Sequence, residues 1–123
     1  MTKILIVEDN PMNRDMLTRR LRRHKFDIVC ACDGPSGIDM AAAESPDVIL
    51  MDIALGDMNG WEATRIIKAN PATSRIPIIA LTAHALSSDL AKSKEAGCAD
   101  FETKPVDLDR LLAKIATCTR RAA

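Results

Sequence analysis

Along this chain, short unbroken apolar runs alternate with stretches whose apolar residues recur at helical spacing. "KILIV" (Lys3 to Val7) reads as a buried strand. Asn10 followed by Pro11 is a cap and a first-turn proline, so a helix opens there. Met12, Met16, Leu17 and Leu21 are assigned to its inward face. "FDIVCAC" (Phe26 to Cys32) gives a second strand, and "DGPSG" (Asp33 to Gly37) turns into a second helix. "VILM" (Val48 to Met51) is a third strand, and Gly60 to Ala69 is a third helix closed by Asn70 and Pro71. "IPIIAL" (Ile76 to Leu81) is a fourth strand. A helix from Leu86 to Glu95 stops at Gly97. A short strand spans Ala99 to Phe101, and Leu108, Leu111, Leu112 and Ile115 mark a last helix over Leu108 to Thr119.

Five strands alternating with five helices predict βαβ units. The fold class expected is α/β, a doubly wound (βα)5 five-stranded parallel sheet in the flavodoxin-like order 2-1-3-4-5. The first, third and fourth strands are almost wholly apolar, as parallel strands covered on both faces must be. A length of 123 residues fits one domain, taken as residues 1 to 123, with enough chain to bury a core without staples.

Composition narrows the function classes. Seventeen basic and seventeen acidic residues balance, so no whole-domain charge draws the chain to nucleic acid or an anionic membrane. No apolar run is long enough to span a bilayer, and no signal-peptide pattern opens the chain. Cys30, Cys32, Cys98 and Cys118 form neither a C-x-x-C pair nor a zinc spacing with His24 and His84, and are expected to be small buried hydrophobes in a reducing cytoplasm. The run "RRLRRHK" (Arg19 to Lys25) is expected to offset a helix dipole and face solvent.

The chemistry gathers at the carboxyl ends of the strands, where such sheets bind ligands. Glu8 and Asp9 follow the first strand and Asp52 follows the third. Thr82 and Ala83 follow the fourth, and Thr103, Lys104 and Pro105 follow the fifth. Two carboxylates about 5 Å apart repel by about 1–3 kcal/mol at surface-like dielectrics. A divalent cation reverses that sign, and hard oxygen donors suit Mg2+ better than zinc.

These residues resemble the receiver domain of two-component response regulators, of the single-domain DivK-like or hybrid-kinase type. "LIVEDN", "DVILMDIALGDMNGWE", "PIIALTAHA" and "ETKPVD" carry the likeness across essentially the whole chain. The resemblance implies that Asp52 is the phosphoacceptor for a phosphohistidine. It places Mg2+ between Glu8, Asp9, Asp52 and the backbone carbonyl of Ala54. Lys104 would pair with the phosphoryl group, and the Lys104–Pro105 bond would be cis. Thr82, with Ala83 beside it, would bind the phosphoryl group and switch, and Phe101 would be the switch aromatic. One departure stands in the loop after Asp52, where the family usually carries proline and this chain has Gly56. Ala54 and His84 occupy the two variable positions bordering the site.

The implied partners are a sensor histidine kinase or histidine phosphotransfer protein upstream and an effector protein or kinase downstream. Direct nucleic-acid or membrane contact is not expected. The chain is expected to be cytoplasmic, a monomer or weak dimer, and a signalling protein rather than an enzyme. Its output face is expected to carry His84, Ser87, Asp89, Lys92, Asp100, Glu102 and Arg110. The principal alternative is a pseudo-receiver that works without phosphorylation. A Mg2+-dependent phosphohydrolase would need a second aspartate where Ala54 stands. An FMN carrier would need a hydroxyl- and glycine-rich loop where "VEDNPMN" places two acids.

Overall fold

The computed structural model describes residues 2–56, 58–83 and 86–122. Its elements run β1 (Lys3–Val7), α1 (Pro11–Arg22), β2 (Asp27–Ala31), α2 (Gly34–Glu44), β3 (Val48–Asp52), α3 (Gly60–Ala69), β4 (Ile78–Thr82), α4 (Ser87–Ala96), β5 (Asp100–Thr103) and α5 (Leu108–Ala122). The five strands form one parallel sheet in the order β2-β1-β3-β4-β5.

Strand alternation divides the core in two. Ile4, Ile6, Leu50, Ile79 and Leu81 face α1 and α5, where they meet Leu17, Leu21, Leu111 and Ile115. Leu5, Val7, Ile49, Met51 and Ile78 face the other way, onto Ala41 of α2 and Ala63 and Ile67 of α3. β3 and β4 are buried at every position, which is why their sequences read as continuous apolar runs rather than alternating ones.

Local chemistry sets the helix starts. The Asn10 side chain accepts from the Met12 and Asn13 N–H groups at 2.9 and 3.1 Å. Asp33 caps α2 through Ser36 N–H at 2.7 Å, and Asn59 caps α3 through Glu62 N–H at 2.8 Å. α4 has no side-chain cap, so its first turn is the least locally specified of the five. It ends at Gly97, whose φ of 108° suits glycine.

Several boundaries and burials depart from the sequence reading. β4 starts at Ile78 rather than Ile76, because Pro77 has no N–H to give the ladder; its carbonyl accepts from Ile49 N–H instead. β5 is displaced to Asp100–Thr103, where Thr103 pairs with Thr82. Met12 and Met16 do not face the core: they are 81% and 47% exposed, and the buried stripe of α1 is Leu17, Thr18 and Leu21. Of the cysteines only Cys118 is buried; Cys30 and Cys98 are partly so and Cys32 is exposed, and none is in a disulfide. Burial pushes the Cys98 thiol up to about 11, which keeps it protonated. The basic run does lie in solvent, with only Leu21 of Arg19 to Lys25 buried. Among the described residues, no helix is long and apolar enough to cross a membrane.

Candidate functional site

The register of the sheet brings the strand ends together. Val7 lies opposite Met51 and Asp52 opposite Leu81, so the next residues of β1 and β3 flank the switch point between the two sides of the sheet. One oxygen from each of Glu8, Asp9 and Asp52 falls within 4.8 Å of the other two. Glu8 is 3% and Asp52 2% exposed, while Asp9 faces solvent. The pocket thus has a buried floor of two carboxylates and an open acidic rim.

Lys104 compensates the floor. Its ammonium lies 3.2 Å from Glu8 Oε1 and 3.1 Å from Asp52 Oδ1. The Ala54 N–H donates to Asp52 Oδ1 at 3.2 Å. One ammonium shared by two buried acids is short of charge, and Glu8 responds. Burial, then the hydrogen bond and charge of Asp52, push the Glu8 carboxyl up to about 7; Lys104 only partly opposes this. Burial alone would lower Lys104, but hydrogen bonds to and charges on Asp52 and Glu8 outweigh it and hold the ammonium above its ordinary value. A carboxylate ends an apolar strand because the site is built around it, with a lysine on one side and acids that a cation would relieve on the other.

Backbone contacts fix these side chains. The Lys104 N–H donates to Thr82 O at 2.8 Å, tying the fifth strand's exit to the fourth. The Lys104–Pro105 peptide is cis. Thr82 is buried and Ala83 after it is exposed. Ile53 N–H donates to Leu81 O at 3.0 Å, and Gly60 N–H donates to Ile53 O at 2.9 Å, folding the loop after Asp52 back on itself. A Cβ at Gly60 would collide with the Asp52 carbonyl and stand 2.8 Å from Ile53 Cα. Gly60 is therefore required by close approach, not by its own dihedrals. At Gly56, by contrast, a Cβ would meet only Asp9 Oδ2, at an ordinary 3.7 Å.

The structure brings Glu8, Asp9, Asp52 and Lys104 together, with Ala54 and Thr82 bonded to them through the main chain. Phe101 lies farther along β5, half-buried. Asp57 and His84 lie outside the described residues. Glu102, expected on the exposed output face, is instead 2% exposed. It turns under α5, where Arg110 and Lys114 each approach its carboxylate to 3.2 Å. Sequence reasoning also passed over Arg14, whose Nη1 donates to the Glu8 carbonyl at 2.8 Å. Its signal was one helical turn of separation from Asn10. Beside the pocket, a cavity of about 600 Å³ runs between α1 and the loop after β5, lined by Glu8, Met16, Arg20, Lys104, Pro105 and Val106 among others.

A 2-1-3-4-5 sheet with a three-acid pocket and an opposing lysine at its switch point defines a class of doubly wound α/β domain. The chain belongs to the response regulator receiver domain family, whose model matches residues 4–116. It is 40% identical over 115 residues to protein PilH of Pseudomonas aeruginosa, covering 94% of this chain and 95% of that one. It is 36% identical over 118 residues to response regulator PleD of Caulobacter vibrioides, covering 96% of this chain but spanning only 26% of PleD. Among solved structures, the receiver domain of sensor histidine kinase PA1611 from P. aeruginosa superposes with a TM-score of 0.89 at 36% identity, covering 96% of this chain and 97% of that one. That structure has a magnesium ion coordinated in its active-site cleft. This chain is thus a receiver domain of two-component signalling with an acidic pocket.

Proposed function

We propose that the chain accepts a phosphoryl group from a phosphohistidine of a sensor kinase or phosphotransfer protein onto Asp52, and passes the change of state to an effector protein or kinase. The observation that carries this is the pairing of a buried, main-chain-braced Asp52 with both Lys104 and two further acids within 4.8 Å. A lone structural aspartate would need the lysine but not the acids.

The donor set fits magnesium: three hard carboxylate oxygens, one on an open rim where water completes the shell. Glu8, Asp9, Asp52 and the Ala54 carbonyl would hold it. When bound, the ion neutralises phosphoryl oxygens as they approach the acids. The chain's own residues do the rest. Asp52 attacks phosphorus through a carboxylate oxygen; the phosphorus–nitrogen bond of the donor breaks, and the leaving imidazole takes up a proton. The product is an acyl phosphate on Asp52. Lys104, already 3.1 Å from Asp52, supplies a fixed positive charge to the incoming group. Ala54 N–H holds the carboxylate in place. The small side chain of Ala54 leaves the rim open to a donor. The apolar cavity beside Glu8 and Lys104, with exposed Met12 and Met16 on α1, supports this side as the donor's seat.

Output then follows from Thr82 and Phe101. A phosphoryl group on Asp52 draws the Thr82 hydroxyl toward it, and Phe101 turns inward in response, biasing two existing states. Shifting a 1:99 mixture to 99:1 takes about 5.5 kcal/mol, a good part of which a charge-assisted hydrogen bond and an ion pair in a partly dry pocket supply. On this reading the chain is a signalling protein acting in the cytoplasm, and any self-phosphorylation or self-dephosphorylation is a property of the acceptor site, not an enzyme activity on a separate substrate. The test is transfer of labelled phosphoryl from a phosphohistidine donor protein in Mg2+. Label should move to this chain and fail to move to Asp52→Asn. A chain that binds the donor but takes no label would be a phosphorylation-independent module instead.

A further inference from the structure

Successive residues of β5 point to opposite faces. Phe101 is half-buried and borders a cavity of about 370 Å³ walled by Leu90, Ala91 and Ser93 of α4 and by Cys98. Glu102 turns the other way, under α5, and is buried. A single side chain, Lys114 of α5, holds both. Its ammonium donates to the Phe101 carbonyl, lies 5.1 Å from the centre of the Phe101 ring and stands 3.2 Å from Glu102 Oε2. Asp100 Oδ1 lies 3.9 Å away. Glu102 Oε1 is already occupied, by Arg110 at 3.2 Å and by Thr103 N–H at 3.1 Å. Oε2 makes no hydrogen bond among the described residues; the buried charge, shared across the carboxylate, is met by Lys114 at this oxygen and by Arg110 at the other.

Three of these contacts hold the ammonium and one holds the ring. Glu102 and the Phe101 carbonyl anchor Lys114 to the body of β5, so its position does not depend on where the ring lies. The ring contact stabilises only the present orientation, since a cation over an aromatic face attracts it within about 6 Å and little beyond. Phenylalanine has no hydroxyl with which to hold itself in place. The cavity on the α4 side, which Lys94 and Asp100 also line, has room for it by volume: about 370 Å³ exceeds the roughly 150 Å³ that admits benzene.

Resting on the reading that Phe101 moves on phosphorylation, we propose that Lys114 is a latch: it holds the Phe101 ring out of the α4–β5 cavity in the unphosphorylated chain and so sets the resting level of the signal. An exposed cation–π contact is worth about a two- to fivefold population ratio. Removing the charge should raise the inward population by that factor with no phosphoryl group present.

The experiment is NMR of the full chain with ¹³C-labelled phenylalanine rings, since Phe26 and Phe101 are the only two. Beryllofluoride with Mg2+ on the wild-type chain defines the switched position of the Phe101 signal, and Phe26 reports that the fold is intact. Lys114→Met should move the Phe101 signal partway to the switched position without beryllofluoride. Lys114→Arg should leave it in place, and so should Arg110→Met, which strips Glu102 of a partner without touching the ring. A Lys114→Met signal at the wild-type resting position, with beryllofluoride still moving it, would overturn the latch and leave the switch standing. A wild-type signal that beryllofluoride does not move would overturn the switch itself and the latch with it. If Lys114→Met disturbs Phe26, Lys114→Gln measured in the same way decides.

Discussion

Glu8 contributes stability that the metal-free protein holds in acid and loses toward neutral pH. Its carboxyl, ordinarily at 4.5, is carried to about 7 by burial and by Asp52. Between those values the folded chain holds a proton that the unfolded chain has released. The stability this one group contributes therefore falls as pH rises through that window, being fully present below about pH 4.5 and lost above about pH 7. A displacement of that size corresponds to about 3 kcal/mol of folding free energy. The perturbation is Glu8→Gln, which keeps the shape and the Lys104 contact but removes the titration. With EDTA present, urea unfolding followed by Trp61 fluorescence should show wild type and variant converging near pH 4.5. By pH 8 the variant should be more stable by about 2–3 kcal/mol. Saturating Mg2+ should reverse the order at pH 8, because it binds the wild-type acids and is linked to the folded state by mass action. A difference between the two proteins that stays constant from pH 5 to pH 8 without metal would refute this account of the pocket floor.

Three further substitutions probe the scaffold. Gly60→Ala should cost about 3 kcal/mol by urea unfolding, although alanine is the better helix former, because the new methyl meets the Asp52 main chain. Gly56→Ala should be neutral or stabilising by about 0.4–1 kcal/mol in the same assay, since its Cβ finds only ordinary contact. Ser93→Ala should cost about 1 kcal/mol and alter Trp61 emission, because the buried Ser93 hydroxyl accepts from the Trp61 indole N–H at 2.9 Å and ties α4 to α3.

The centre of the sheet was legible because parallel strands covered on both faces, such as β3 and β4, read as continuous apolar runs, whereas β5, with Asp100, Glu102 and Thr103, does not, and its bounds were misplaced. The pocket was legible for a related reason: Glu8, Asp52 and Thr82 each end an apolar run and Lys104 follows the short fifth strand, so their place at one edge follows from the topology. What stayed hidden depends on which way a side chain turns. Met12 and Met16 fit helical spacing as well as Leu17 and Leu21 do, but α1 buries a narrow stripe that begins at Leu17. Glu102 reads as a surface acid until Arg110 and Lys114 are seen on the adjacent helix, and only their charges make its burial tolerable. Gly60 gives no sign in the sequence that its missing Cβ is what lets α3 start against the Asp52 carbonyl.

Whether Asp52 is a metal-dependent phosphoacceptor is read out by intact-mass spectrometry after incubation with a small acyl-phosphate donor. The chain should gain one phosphoryl group in a reaction that requires Mg2+, is lost in Asp52→Asn and is strongly reduced in Asp9→Asn. A gain that persists in Asp52→Asn, or that forms equally well in EDTA, would contradict that role for Asp52.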